Sequence, residues 1–549
     1  AQDIMLCIGT GSNMDDENRM RFENDQFYMK TEEEMRAAMR DFPEACDNTV
    51  ELAEKCHVEL ERDSILPRFP LPEGETEESW FRKRVQEGLV KRYGDPVPPE
   101  VQERADYEMG IIIQQGFPAY FLIVQEYIEW ARSQGIGVGP GRGSAAGAIV
   151  AYAMGITDLD PLPNGLLFER FLSPERVEMP DIDVDFEDER RQEVIEHIKD
   201  VYGEDHVSGV ITFGKLQAKN AIRDSARVLG HPYGVGDRLC KMVGDELGFK
   251  KAYDEEPESR EIIDAARSIE GNVRGEGVHA CATIICRDPM ADHVPMKRDT
   301  KGGGIITQYD GHYTPDLGLL KMDFLGLRTL GVLSRACRNI EERYGTKIIP
   351  EEIPTEDEKA FELMQSGNMD GLFQVEGALY VSLFARLPPK RFSDVVASIA
   401  LNRPGPLESG MVEDYIKVAS GKTPVHYYDD RLRPLLEETY GTMVYQEQIM
   451  QISMAMSGFS AGKADKLRKA MGKKKLDVMM KLKDDWCNGA VENGYSLEIA
   501  NQIWSDAEKF AKYAFNKSHS AAYAILVMRT AYLKAYYPYE YMAAVLSSY

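Results

Sequence analysis

Three aspartates alternate with apolar residues in the segment 180–186, which reads Pro-Asp-Ile-Asp-Val-Asp-Phe. Alternation at period two predicts a β-strand, because successive side chains of a strand point to opposite faces. The apolar side chains would face a core, and Asp181, Asp183 and Asp185 would share the other face. At the rise of a strand, Asp181 and Asp183 would lie about 6.5–7 Å apart, which lets two carboxylates bracket a pair of hard cations.

Three like charges on one face are unusual, since carboxylates repel one another and raise each other's pKa. Magnesium removes this penalty, because it prefers carboxylate oxygens and leaves coordination positions open for water and phosphate. The segment therefore predicts a metal-dependent phosphoryl-transfer site. The alternative is a solvated acidic edge strand.

A second acidic strand is predicted at 319–324. Met322 and Phe324 would face the core, and Lys321 and Asp323 would face the site. If this strand lay beside the first, Asp323 would supply a third metal ligand. Lys321 would offset the charge of an incoming triphosphate. The sequence does not show that the strands pair, so a half-buried strand with two ordinary surface charges stays open.

A glycine-rich turn at 137–147 precedes a predicted helix of small residues. Such a turn lets backbone amides approach a phosphate, and a helix N-terminus adds a favourable partial charge. Arg142 could clamp phosphate oxygens, and the Ser144 hydroxyl could donate to them. The turn matches neither the P-loop nor the dinucleotide fingerprint. The alternative is a tight turn before a closely packed helix.

Basic residues concentrate in two places despite a net charge of −26. The first is a predicted helix in which cations recur every four residues, at Lys215, Lys219, Arg223 and Arg227. Such a stripe can follow a phosphate backbone, although a solvated helix face is the usual interpretation. The second is a dense cluster at 463–475, interpreted as a phosphate-binding surface or a solvated helix end.

The segment 515–523 mixes aromatic, amide, cationic and hydroxyl side chains just before an apolar helix. Asn516, Lys517 and His519 could contact a nucleic-acid base and its backbone. Capping of the helix by Ser518 or Ser520 would explain part of the same pattern.

The whole chain limits what these segments can belong to. Its 549 residues should form three or four domains, and 43% hydrophobic with 28% charged residues is typical of a globular protein. The net charge argues against a general nucleic-acid coat protein but not against a nucleic-acid enzyme. The longest uncharged run, 109–125, contains Pro118 and predicts two buried elements, not a membrane span. Eight scattered cysteines and no visible secretory signal favour a reduced, cytoplasmic protein.

Eight segments together closely resemble the C-family replicative DNA polymerases, the alpha (catalytic) subunits of bacterial DNA polymerase III. They occur in family order: GVGPGRGSAAG at 137–147, PDIDVDF at 180–186, ITFGKLQAKNAIRD at 211–224, KMDFLGLRTL at 321–330, NRPGP at 402–406, VYQEQIMQI at 444–452, LRKAMGKKK at 467–475 and FNKSHSAAYA at 515–524.

The resemblance implies a multidomain α/β fold, with a palm of the beta-type nucleotidyltransferase topology, an inserted helical thumb and large, mostly α-helical fingers. The expected domains are the C-terminal remnant of a PHP domain (1–62), the first part of the palm (63–212), the thumb (213–275), the second part of the palm with the third catalytic aspartate (276–328), and truncated fingers (329–549).

The resemblance also assigns roles to residues. Asp181, Asp183 and Asp323 become the catalytic ligands of two Mg²⁺ ions, with Asp185 supporting them. The contacts to the dNTP phosphates fall on Arg142, Gly143, Ser144, Lys321, Arg468 and Lys469. The contacts to DNA fall on Lys215, Lys219, Arg223, Arg227, Lys473, Lys474, Lys475, Asn516, Lys517 and His519.

The implied reaction is template-directed transfer of deoxynucleotidyl groups from dNTPs to a primer 3′-OH in the bacterial cytoplasm. A sliding clamp, a clamp loader and a proofreading exonuclease are expected partners of a full-length member, but the C-terminal clamp-binding region is expected to be missing. Proofreading by a PHP domain is not expected, because the sequence shows no His/Asp cluster for its metals. Gly377 stands where family members usually have serine, and Lys469 where arginine is common.

Two rival classes stay open. A metal-dependent nuclease would use the same carboxylates with water as the nucleophile, although the triphosphate-binding cations argue against it. A non-catalytic DNA-binding fragment of a replisome subunit is the other.

Overall fold

The computed structural model describes residues 1–57, 65–173, 175, 179–243, 248–299, 302–473, 475–511 and 513–548. The described part is a mixed α/β protein in which helices dominate, as expected for the coarse fold class. Its strands are β1 (Val184–Glu187), β2 (Val207–Lys215), β3 (Val273–Ile285), β4 (Met296–Arg298), β5 (Ile305–Asp310) and β6 (Leu320–Leu327).

The helices follow in chain order. They are α1 (Gln2–Thr10), α2 (Glu32–Ala38), α3 (Pro43–Lys55), α4 (Glu77–Tyr93), α5 (Pro99–Gln114), α6 (Pro118–Ser133), α7 (Ile149–Ala153), α8 (Arg191–Tyr202), α9 (Ala218–Val228), α10 (Tyr233–Met242), α11 (Lys250–Glu255), α12 (Arg260–Ile269), α13 (Arg328–Tyr344), α14 (Glu358–Gln365), α15 (Ala378–Arg386), α16 (Phe392–Leu401), α17 (Pro404–Glu408), α18 (Met411–Ala419), α19 (Arg433–Leu436), α20 (Gln446–Ser457), α21 (Ala461–Gly472), α22 (Leu476–Glu492), α23 (Leu497–Phe510), α24 (Lys517–Tyr536) and α25 (Pro538–Ser547).

The chain divides into two compact units. Unit 1 contains Ala1–Ile65, Ser208–His279 and Pro289–Leu319, and unit 2 contains Leu66–Val207, Ala280–Asp288 and Leu320–Tyr549. This division does not decide between palm, thumb and fingers, so the five domains stay predictions. The expected edge between residues 62 and 63 lies outside the described residues.

In unit 1 the N-terminal helix packs on the helices of the predicted thumb. Apolar side chains of α1, including Ile4 and Ile8, lie against the cluster formed by α9 and α12. The backbone N–H of Met14 donates to the carbonyl of Val228 at 2.8 Å. The strand segments of this unit, which include residues 273–279 of β3 and residues 208–215 of β2, follow the order β3-β2-β5-β4, with β2 parallel to β5 and β4 antiparallel to β5.

In unit 2 the two acidic segments lie on neighbouring strands. β1 pairs in parallel with β6, with Val184 opposite Phe324, and β6 pairs antiparallel with β3 on its other side. The predicted core-facing residues of both segments are buried: Ile182, Val184, Phe186, Met322 and Phe324. The pairing that the sequence left open is therefore present.

The first strand is shorter than predicted. β1 begins at Val184, so Asp181 and Asp183 lie on the extended segment that leads into it. Before this point the backbone N–H of Ile182 donates to the hydroxyl of Tyr120 at 2.8 Å instead of to a neighbouring strand.

The uncharged run at 109–125 forms two buried elements, as predicted. It comprises the end of α5 and the start of α6, and Gly116, in a left-handed conformation (φ +78°), joins them. Across the part of the chain that the structure describes, no helix is both long and apolar enough to cross a membrane.

Helix α24 lies in the core of unit 2 and is buried on nearly all sides. It packs on α14 and α16. Its cap is Asn516, whose side-chain oxygen accepts from the backbone N–H of His519 at 3.2 Å. The prediction that Ser518 or Ser520 caps the helix is wrong, because both serines lie inside the first turn and are fully buried.

Candidate active site

Three carboxylates converge where β1 and β6 begin to pair. The residues directly before the Val184–Phe324 pair are Asp183 and Asp323, so the parallel register brings them side by side. Asp181, Asp183 and Asp323 each offer a ligand atom, and these atoms all lie within 4.8 Å of one another. This all-oxygen donor set is of the kind that binds hard divalent cations.

The electrostatics of the cluster show the cost of gathering these charges. Burial, together with the charges of Asp181 and Asp323, raises the pKa of Asp183 to about 6. Burial also raises the pKa of Asp181, and Asp323 adds to this while Lys321 opposes it. A bound cation would offset this repulsion.

One carboxylate oxygen of the cluster is in an environment that favours binding of a cation. Oδ1 of Asp323 is buried and has no hydrogen-bond partner among the described residues. Its other oxygen, Oδ2, accepts from the ammonium of Lys321 at 2.6 Å. A buried carboxylate oxygen without a partner is unfavourable unless a cation binds it, so the donor set fits a divalent metal.

Arg142 connects the glycine-rich turn to the aspartates. Its guanidinium lies 3.6 Å from Asp183 and 3.4 Å from Asp185, and it donates to the hydroxyl of Tyr523 at 2.8 Å. The Tyr523 hydroxyl lies 3.3 Å from Oδ2 of Asp185, to which it donates. Asp185 is only 3% exposed and does not belong to the group formed by Asp181, Asp183 and Asp323. Its contacts hold the side chain of Arg142 in place.

The glycine-rich turn is held by a backbone hydrogen bond to β1. The N–H of Gly139 donates to the carbonyl of Asp185 at 2.8 Å, and a Cβ at Gly139 would lie 2.9 Å from the Cβ of Asp185. Glycine is therefore required for this approach. The predicted helix of small residues does not begin directly at the turn, because a single 3-10 turn of residues 145–147 precedes α7. The turn thus presents backbone and Arg142, not a helix N-terminus.

His519 meets the same turn from α24. Its Nδ1 accepts from the backbone N–H of Gly143 at 3.3 Å, and its ring lies 4.2 Å from that of Tyr523. Burial and the nearby charge of Arg142 lower the pKa of His519 to about 4, so the ring is neutral near pH 7 and can accept this bond. The segments 137–147 and 515–523 therefore meet beside the aspartates.

The two neighbouring cations of α21 share one partner. Arg468 donates to Oδ1 of Asp465 at 2.7 Å, and Lys469 lies 3.4 Å from Oδ2 of the same carboxylate. Within the described part of the chain, no hydrogen bond or ion pair joins either cation to the three aspartates. Lys469 and Lys473 line a cavity of about 680 Å³ together with Ser173, Glu175, Gly462, Asp465, Lys466, Ala470, Lys475 and Val478.

The other predicted DNA contacts lie in different surroundings. Lys473 and Lys475 are exposed, whereas Lys474 lies outside the described residues. Lys517 is only 8% exposed, and its ammonium binds Glu438 and, at 2.8 Å, the carbonyl of Asn164. In this arrangement Lys517 stabilises unit 2, and its contact with DNA stays a prediction.

The cationic stripe of unit 1 is shorter than predicted. α9 begins at Ala218, so Lys215 is the last residue of β2 and not part of the helix. Lys219 and Arg227 are exposed on α9, while Arg223 lies 3.4 Å from Asp237. The prediction of one four-residue helical stripe is therefore wrong at its first member.

Tyr523 is the residue that the sequence did not single out. Its hydroxyl bonds to Arg142 and Asp185, which lie more than 300 residues earlier in the chain. The available signal was its position four residues after His519, which places both on one face of a helix.

Known families match most of the chain in two adjoining parts. The Bacterial DNA polymerase III alpha NTPase domain matches residues 79–326, and the Bacterial DNA polymerase III alpha subunit finger domain matches residues 329–494. The chain belongs to the bacterial DNA polymerase III alpha family. The resemblance found in the eight sequence segments is thus confirmed.

Named members of this family align with the entire chain. It is 45% identical over 579 residues to the DNA polymerase III subunit alpha of Escherichia coli strain K12, 43% over 579 residues to that of Mycobacterium tuberculosis strain H37Rv, and 42% over 626 residues to that of Thermus aquaticus. Each alignment covers 100% of this chain and 50%, 49% and 51% of the relative, respectively. The chain spans about half the length of these curated relatives.

Proposed function

We propose that this chain is the catalytic part of a bacterial replicative DNA polymerase. It would transfer deoxynucleotidyl groups from dNTPs to the 3′-OH of a primer, as directed by a template, in the bacterial cytoplasm. The observation that carries the proposal is the cluster of three aspartates with the unpartnered Oδ1 of Asp323. Family membership supplies the substrates, since the relatives are named as DNA polymerase subunits.

Asp181, Asp183 and Asp323 would hold the metal, with two Mg²⁺ ions expected. Magnesium bound there would lower the pKa of the primer 3′-OH and stabilise negative charge on the triphosphate. Arg142 and Lys321, the cations beside the cluster, would orient the triphosphate oxygens.

The remaining phosphate contacts would come from Gly143, Ser144, Arg468 and Lys469. Arg468 and Lys469 would release or share Asp465 when they bind an anion, because both now pair with it. The exposed cations Lys215, Lys219, Arg227, Lys473 and Lys475 would follow the DNA backbone.

The proposed domain organisation follows the resemblance. The palm would hold β1 and β6, with 213–275 as the thumb and 329–549 as the fingers; the NTPase and finger family matches support the division near residue 328. The sliding clamp, clamp loader and exonuclease remain partners expected of a full-length family member.

Extension of a labelled primer on a template with a single varied base tests this function. With Mg²⁺ and all four dNTPs we expect the primer to lengthen, and with one dNTP at a time we expect addition only opposite its complementary base. A primer that shortens irrespective of dNTPs would indicate a nuclease. Binding of the duplex without any change in primer length would indicate a non-catalytic fragment.

A further inference from the structure

Asp158, in the loop after α7, is a buried carboxylate surrounded by three guanidinium groups. Its oxygens lie 3.1 Å from Arg529 of α24, 3.2 Å from Arg132 of α6 and 3.5 Å from Arg92 of α4. Burial alone would raise the pKa of Asp158, but the three guanidinium groups outweigh it and lower the pKa. The carboxylate is therefore ionised at neutral pH and joins three helices.

The backbone of the same residue holds the glycine-rich turn. The N–H of Asp158 donates to the carbonyl of Pro140 at 2.8 Å. The next residue, Gly141, has φ +121°, and a Cβ there would lie 2.9 Å from the Cγ2 of Thr157. The turn is thus fixed on the 157–158 loop directly before Arg142.

Among the three arginines, Arg529 depends most on this carboxylate. Arg92 and Arg132 also donate to backbone carbonyls within residues 152–157. Arg529 is only 2% exposed, and in the described part of the chain its one hydrogen bond goes to Asp158. Its Nε is buried and has no hydrogen-bond partner among the residues that the structure describes. Loss of Asp158 would therefore leave a buried, unpaired charge on α24.

α24 reaches the site through residues earlier along the same helix. Tyr523 bonds Arg142, and His519 accepts from Gly143. At the rise of an α-helix, Arg529 lies about 9 Å further along the axis than Tyr523. The glycine-rich turn is therefore connected to α24 in two ways. Arg142 and Gly143 contact the helix directly, and Asp158 bonds to both the turn and the helix.

We propose that Asp158 and Arg529 form a positioning pair for the triphosphate site. Asp158 holds the glycine-rich turn through its backbone N–H and holds α24 through its side chain. It therefore sets where Arg142 lies relative to Tyr523 and the aspartates. The effect of this pair on catalysis rests on the proposed polymerase function. Displacement of a substrate-positioning group by about 1 Å can change rates by up to about 100-fold.

The test compares two arginines that share one carboxylate. In Arg529→Met we expect the KM for each of the four dNTPs to rise about ten-fold, with kcat and the Kd for primer–template within about two-fold of wild type. Arg529→Lys should recover most of this loss, because an ammonium can still pair with Asp158. Arg132→Met removes a guanidinium from the same carboxylate but not from α24, and its other bond goes to Gly155, outside the 157–158 loop, so we expect its KM to stay within about two-fold of wild type.

Hydrogen–deuterium exchange of peptides covering 137–147 gives a readout that needs no activity. Arg529→Met should increase the exchange rate there by about five-fold or more, and Arg132→Met should not. Unchanged exchange in Arg529→Met, or an equal increase in both variants, would overturn the positioning role. A wild-type chain that extends no primer would overturn the polymerase function instead, and the exchange result would still decide this pair. Should Arg529→Met fail to fold, Arg529→Gln takes its place with the same expectations.

Discussion

Replacing Asp323 by asparagine is expected to lower the single-turnover rate of nucleotide incorporation by about a thousand-fold. Asparagine keeps the shape of the side chain but removes the charge that would bind a cation through the buried Oδ1. It also leaves the ammonium of Lys321 without its carboxylate partner at 2.6 Å. Rapid-quench measurement at saturating dNTP and Mg²⁺ reports this rate directly.

Asp200→Asn is the matched control. Asp200 is exposed on α8 of the same unit, and its substitution changes the net charge equally. We expect this variant to incorporate nucleotides at the wild-type rate. If Asp323→Asn kept more than about a tenth of that rate, Asp323 would not be a ligand of the catalytic metal.

Replacing Arg142 by methionine is expected to raise the KM for dNTPs by about 30-fold. A hydrogen bond to a charged group contributes about 1.5–3 kcal/mol, which corresponds to about ten-fold to 100-fold in affinity. Arg142 lies beside Asp183 and is held by Tyr523 and Asp185, so its guanidinium is already directed towards the site. Steady-state kinetics on a fixed primer–template measures the change.

Two further variants make the result specific. Arg142→Lys should recover only part of the loss, because lysine carries the charge but lacks the bidentate fork. Arg190→Met removes a guanidinium that pairs with Glu193 at the start of α8, and we expect its KM to equal that of wild type. An equal rise in KM for Arg190→Met and Arg142→Met would mean that net charge, not position, governs triphosphate binding.

The local parts of the site could be predicted from the sequence because they depend on short-range patterns. The alternation in 180–186 and in 319–324 identified the buried residues of both strands and three aspartates that the fold brings together. The pattern did not predict where β1 begins. Just before that boundary the backbone of Ile182 bonds to Tyr120, which lies 62 residues earlier in the chain.

The contacts that connect distant segments could not be predicted in the same way. Arg142 and Tyr523 are 381 residues apart, and no periodicity relates them. The burial of Lys517 is equally non-local, because its partner Glu438 lies on a different segment of the core. Lys215 fits a four-residue spacing, yet β2 continues through it and α9 begins later. Spacing alone does not reveal where one element ends and the next begins.

Iron(II)-mediated backbone cleavage tests most directly whether Asp181, Asp183 and Asp323 hold a divalent cation. Fe²⁺ can replace Mg²⁺ at carboxylate ligands, and with ascorbate and peroxide it generates radicals that cut the chain close to the bound ion. We expect cuts near 180–185 and 321–325, suppressed by excess Mg²⁺ and by Asp183→Asn but not by Asp200→Asn. Cleavage only elsewhere, or cleavage at these positions that Asp183→Asn leaves unchanged, would contradict the metal centre.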